Sequence, residues 1–236
     1  MRAANHSRLL LVLVAVCALI LAACGDDSGD DDASTEDTSD TSTTTETSAP
    51  TDDEGTDQEA TFELTAGLEA LNDSGASGEA TVTSTSPGTI DVTVETEGVS
   101  PGVPHAQHLH IGGEFTCPEP EAAGDDDVIT TAEGAPAYGE VRVALTVEGD
   151  VSADSALAVE RFPVAEEDGT ISYQRTFDLP GDVTAADVLE AVVVQHGDAS
   201  RSGDEAAYDG EEESSLDPSL PLEATIPVLC APLTPS

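Results

Sequence analysis

The stretch "GTIDVTVETEG", residues 88–98, decides the fold class. Ile90, Val92 and Val94 alternate with Asp91, Thr93 and Glu95. In an extended chain successive side chains point to opposite faces, so this period of two describes a strand with one face buried and one wet. The same alternation runs through "GEVRVALTVEG" (139–149), where Val141, Val143 and Leu145 flank Arg142 and Ala144. "GEATVTST" (78–85), "GTISYQRTFDL" (169–179) and "EAVVVQHG" (190–197) are equally short and rich in Val, Ile and Thr. Turn clusters such as "SPG", "EGD", "EDG" and "PGD" separate them. "HAQHLHI" (105–111) and "EATIPVL" (223–229) bring the total to about seven or eight strands. "TAADVLEA" (184–191) reads as one short helix with Thr184 as its N-cap. The expectation is an all-β fold: an immunoglobulin-like antiparallel sandwich or Greek-key barrel. No Gly-rich phosphate loop and no internal repeat interrupts this pattern.

Outward from the strands, the first 60 residues have a different character. Arg2, His6 and Arg8 precede "LLLVLVAVCALILAA" (9–23), 15 apolar residues without a charge. That run is short for a membrane span, which needs roughly 20. A basic start followed by such a run is the pattern of a secretory signal, here residues 1–23. Its end, "LAAC" (21–24), resembles a bacterial lipobox, in which the chain is cut before the cysteine and the cysteine is lipidated. That resemblance implies a lipid anchor on Cys24 and a place on the extracytoplasmic face of the cell membrane. Residues 25–60 hold 14 acids and no base, so residues 24–60 read as a lipidated cysteine followed by a disordered acidic tether. Residues 61–236 have the length of one domain.

The charge balance excludes some partners. The chain has 49 acids, six arginines and no lysine, for a formal net charge of −43. After residue 24 only Arg142, Arg161, Arg175 and Arg201 oppose the acids. Such a surface repels nucleic acid and anionic headgroups, which excludes DNA- and RNA-binding roles. It does not name a protein partner.

Of four cysteines, Cys17 leaves with the signal and Cys24 takes the lipid, so Cys117 and Cys230 remain. An even pair in an exported domain is expected to form a disulfide; the alternative is two free thiols or metal ligands.

The chain's five histidines are unevenly spread: three fall in "PHAQHLHIGGEFTCP" (104–118). His108 and His110 are two apart, so a strand points both to one face, where two imidazoles form half of a metal site suited to copper or zinc. His105, three before His108, points the other way and is better placed to support the ligands than to bind the ion. His196 ends the apolar run "AVVVQHG" and is the natural third ligand. The alternative is a set of ordinary half-exposed histidines.

These residues resemble a family. H-x-x-H-x-H, then a cysteine, then "VVQHG" and a last strand ending in a cysteine are similar to the copper/zinc superoxide dismutases. Much of the domain, from "LEALNDSGASGEATV" through "HAQHLHIGG" and "EGAPAYGEV" to "LPLEATIPVLC", also resembles the dismutase-like and chordin-type (CHRD) domains of bacterial secreted lipoproteins. The resemblance implies copper on His108, His110 and His196, His105 in a supporting position, and a disulfide between Cys117 and Cys230.

The departures from the family pattern limit that reading. Residues 118–138, "PEPEAAGDDDVITTAEGAPAY", contain no histidine, whereas the family places its bridging and zinc-binding histidines there. A zinc site is therefore not expected. The family's anion-guiding arginine is replaced by Pro227, and the charge opposes an anionic substrate. The same loop contains a worn calcium-loop pattern, "AAGDDDVITTAEG" (122–134), with Asp126 at loop position 5 and Glu133 at position 12. The first, third and sixth loop positions fall on Ala122, Gly124 and Asp127, none with the residue a calcium loop needs. Three function classes follow: a copper-binding surface lipoprotein with little or no dismutase activity, an active copper-dependent dismutase, and a metal-free adhesion or structural module.

Overall fold

The computed structural model describes residues 61–201 and 207–236. The expected signal, Cys24 and the acidic tether lie outside them. Nine strands are present among the described residues: β1 Glu63–Ala70, β2 Ser77–Ser86, β3 Thr89–Glu97, β4 Gln107–Gly112, β5 Gly139–Ala144, β6 Ile171–Asp178, β7 Val192–His196, β8 Pro227–Pro232 and β9 Thr234–Pro235. They form one antiparallel sheet in the order β5-β4-β7-β8-β1-β2-β3-β6, with β9 added on β1. The sheet curls into a half-barrel, so the expected all-β antiparallel class is what the chain adopts.

The curl follows from the alternation. Ile90, Val92 and Val94 of β3 are buried, with Leu64, Ala66 and Leu68 of β1, Val82 of β2 and Tyr173 of β6 beside them. Leu109 of β4, Val143 of β5, Val193 of β7 and Leu229 of β8 reach the same core from the other half. Each strand removes one apolar face from water only if the sheet bends until the two halves meet. Side chains of the edge strand β6 reach the loop that follows the other edge strand, β5. The Arg175 guanidinium donates to the carbonyls of Thr146 and Gly149 at 2.8 and 2.6 Å, and the Tyr173 hydroxyl donates to Thr146 O.

Two short helices cover the sheet. Helix α2 (Ala185–Val188) starts at Thr184, as expected, through a reciprocal capping box with Asp187. Helix α1 (Thr131–Tyr138) was not expected, since Gly134 and Pro136 lie inside it. It too begins with a capping box, Thr130 with Glu133. Strand β1 was likewise not foreseen. Two expected strands are displaced: "GEVRVALTVEG" leaves the sheet after Ala144, and in "EATIPVL" Leu222–Ala224 forms a 3-10 turn, so β8 begins only at Pro227.

Cys117 and Cys230 form the expected disulfide, with their Cα atoms 5.9 Å apart. It ties the loop after β4 to β8 across 113 residues. In the chain-entropy account, closing a loop of that size stabilises the fold by about 4–5 kcal/mol.

Candidate metal centre

Strand β4 uses its two faces differently. Leu109 and Ile111 join the main core, while His108 and His110 project from the opposite face of the sheet. Strand β7 lies alongside in antiparallel register, with His108 opposite Val194 and His110 opposite Val192. The His196 backbone donates to Ala106 O at 2.7 Å, which sets His196 beside Ala106. The His196 ring stands beside that of His108, tilted by 60°. The ring centroids of His108 and His196 are 5.2 Å apart, those of His108 and His110 5.6 Å, and those of His110 and His196 5.8 Å. The structure therefore brings together all three histidines singled out in the sequence.

The hydrogen bonds of these rings separate their nitrogens into two classes. His108 Nε2 faces Ala156 O at 3.1 Å, His110 Nδ1 faces Gly139 O at 2.9 Å, and His196 Nδ1 faces Thr225 O at 2.9 Å. A carbonyl only accepts, so the nitrogen facing it carries the proton. The other nitrogen of a neutral ring then presents a lone pair. Those nitrogens are His108 Nδ1, His110 Nε2 and His196 Nε2, and all three are buried without a hydrogen-bond partner. A buried polar atom left unpaired costs about 1–3 kcal/mol, so three side by side call for an explanation. The three histidines offer ligand atoms within 4.8 Å of one another.

Their electrostatics favour the same state. Burial pushes the His110 pKa down to about 3, helped by the neighbouring His196. Burial holds His196 at about 4. His108 lies well below the ordinary imidazole value, through burial first and then the proximity of His196 and His110. All three rings are neutral near neutral pH, the protonation state a metal requires of its imidazole ligands.

The surrounding residues hold the rings in place. Phe162 stands edge-on to His108 at 5.2 Å between centroids, and Tyr138 of α1 packs on His110 at 4.6 Å. Thr131, the first residue of α1, donates its hydroxyl to Thr225 O, the carbonyl that also orients His196. His105 lies outside the trio, as expected, but in the segment that precedes β4 and not on the strand itself. Its Nδ1 faces His196 O at 3.0 Å and its Nε2 faces Ser100 O at 2.9 Å, so it braces the backbone of a ligand. Burial lowers its pKa, against the pull of those two carbonyls and of Asp198.

The rings line a pocket of about 550 Å³ with Ala132, Ala135, Ala156 and Leu157 among its other walls. Sequence reasoning had no access to Thr131, Tyr138, Phe162 or the carbonyls of Gly139, Ala156 and Thr225, which come from segments far along the chain. The Thr130-x-x-Glu133 capping signature was the one available sign of α1, the helix that carries two of them.

Asp126 and Glu133 lie elsewhere. Asp126 accepts from the Val128 backbone at 3.2 Å, and the Glu133 carboxylate accepts from the Thr130 backbone and hydroxyl at 2.9 and 2.8 Å. The Glu133 carboxylate thus serves the capping box of α1.

The chain matches no protein-family model and no curated protein. The three-histidine group itself fits a divalent or monovalent transition metal: three neutral nitrogen donors suit copper or zinc far better than calcium or magnesium, which take oxygen ligands. Among the described residues, no carboxylate or cysteine joins the group.

Proposed function

We propose that the chain is a lipoprotein anchored through Cys24 at the extracytoplasmic face of a cell membrane. Its domain binds one copper ion through His108 Nδ1, His110 Nε2 and His196 Nε2, and it has little or no superoxide dismutase activity. The observation that carries this reading is the set of three buried ring nitrogens, each without a partner and each opposite a nitrogen committed to a carbonyl. Those carbonyls fix the tautomers before an ion arrives and so lower the cost of organising the ligands. The resemblance of "HAQHLHIGG" and "VVQHG" to the copper/zinc dismutases favours copper over other borderline metals. Copper held there would supply one-electron chemistry.

The protein's own residues argue against efficient dismutation. Pro227 stands where the family has its guiding arginine, and the net charge of −43 disfavours approach of an anion. His108, His110 and His196 hold and orient, and nothing among the pocket's described lining residues carries a positive charge.

Copper titration of the exported protein at neutral pH, read by metal analysis, tests this. One copper per chain is expected, and His108→Ala should abolish uptake. Failure to take up copper sinks the metal reading. A superoxide assay on the loaded protein should give no more activity than the same amount of free copper. Clearly higher activity that disappears in His196→Ala would establish an active dismutase instead.

A further inference from the structure

The pocket above the histidines has a composition unlike the rest of the molecule. In a chain with 49 acids, ten of its seventeen lining residues are Ala, Val or Leu, and Glu140 is the one charged side chain among those described. Its volume of about 550 Å³ falls inside the range of about 300–1,000 Å³ typical of small-molecule sites. Its lining includes His108, His110 and His196, residues of α1 and residues of the Ala153–Leu157 segment. Leu216 lines it too and is 43 % exposed, a large apolar side chain left in contact with water.

Three observations restrict what such a pocket takes. The three protein donors do not complete a four-coordinate metal, and no fourth histidine, cysteine or carboxylate stands within reach among the described residues. A fourth ligand therefore comes from the pocket side. Its apolar walls offer no basic side chain, so a small anion would have the ion alone to pair with and would gain nothing from the walls. A free cation would have Glu140 alone to pair with, at a wall that otherwise desolvates it.

We propose that this pocket binds an uncharged small molecule with an apolar body and a single lone-pair donor, the body against the Ala132, Ala135 and Leu157 walls and the donor toward the three histidines. The donor half rests on the copper reading above; the apolar half rests on the pocket alone. Recognition is then by burial of an apolar surface plus one coordinate bond, and a small anion, which lacks the apolar body, forgoes the larger part of it.

The test uses the full exported protein, with and without copper, and three probes: 4-phenylimidazole, imidazole and azide. Copper content is measured first, so that a missing metal is seen separately from a missing pocket. On the copper-loaded protein, calorimetry and the visible spectrum should show 4-phenylimidazole binding about tenfold or more tighter than imidazole, with azide weakest. Ala132→Phe, at an exposed helix position on the pocket wall, should erase that preference for the phenyl group while leaving copper content unchanged. Ala153→Phe, on a lining segment outside α1, checks that the loss comes from filling the pocket and not from damage to α1. Equal affinities for the two imidazoles, tighter binding of azide, or a preference that survives both fillings would overturn the proposal. If the protein takes up no copper, the metal-free form decides the apolar half. Weak binding of 4-phenylimidazole that is lost in Ala132→Phe sustains that half, and no binding overturns it.

Discussion

Gly139 answers to two demands at once. Its φ of +95° lies in the left-handed region, and a Cβ there would come within 2.4 Å of Ile111 O and 2.6 Å of Gly113 N. Its carbonyl meanwhile receives the His110 Nδ1 proton. Gly139→Ala should cost about 1–3 kcal/mol in urea unfolding and weaken copper binding through the displaced carbonyl. Unchanged values for both would contradict the assignment. The buried rings also make stability depend on pH. Unfolded imidazoles titrate near 6.5, whereas His110 and His196 titrate at about 3 and about 4 in the fold. Between those limits the unfolded chain binds more protons than the native one, so stability rises with pH. It is fully present above about 6.5 and is lost as the pH falls toward 3. The metal-free protein should therefore melt at progressively lower temperature from about pH 7 to pH 4. His110→Gln with His196→Gln should make that profile shallower, with buried His108 still contributing, and a flat profile in the unsubstituted protein would contradict the burial argument. Strand parity made the His108–His110 pair legible in advance; His105 stands apart, as expected, but because it precedes β4, which begins at Gln107. The carbonyls that set the ring tautomers were not legible, because backbone acceptors leave no trace in residue type.

Helix α1 shows how a short element can be missed and still matter. Gly134 and Pro136 both argue against a helix on propensity. The Gly134 site is nonetheless filled by Tyr138, whose ring lies within 2.6 Å of where a Cβ would be. The Tyr138 hydroxyl returns to donate to Thr131 O at 2.8 Å, closing the turn. Thr130→Ala removes the capping box and should cost about 0.5–2 kcal/mol. Because α1 carries Thr131 and Tyr138 onto His196 and His110, the same change should lower copper affinity. A loss of stability with affinity unchanged would show that α1 is only a cover. Strand β1 was hidden for the opposite reason. In "ELTAGLEA" Glu, Leu and Ala favour helices, and Leu64 and Leu68 are spaced as on a helical face. Pairing with β2, β8 and β9 overrides that preference, and the buried residues fall on every second position. The late start of β8 has a local cause: Pro227 lacks a backbone donor and is tolerated as the first residue of a strand.

Across the whole domain, the disulfide and the sheet order act on the same join. Strand β1 pairs with β2 along most of its length and with β8 at its end, where Glu69 stands opposite Cys230. The Cys117–Cys230 bond therefore closes the loop after β4 onto the strand that links the two halves of the sheet. Replacing both cysteines by alanine should lower stability by about 2–5 kcal/mol in urea unfolding, with copper stoichiometry retained. Loss of copper binding in that variant would mean that the disulfide also shapes the site. Period-two patterning carried the fold class. The curl and the pairing of first strand to last depend on contacts across the length of the chain, which no local pattern encodes. The division of labour on β4 has a further consequence for how the molecule is made. A slip of one residue in the pairing of β4 would turn Leu109 and Ile111 outward and drive His108 and His110 into the main core. A misregistered chain loses its apolar packing and its imidazole trio in the same event. A chain that brings the three imidazoles together has therefore already paired β4 in its correct register.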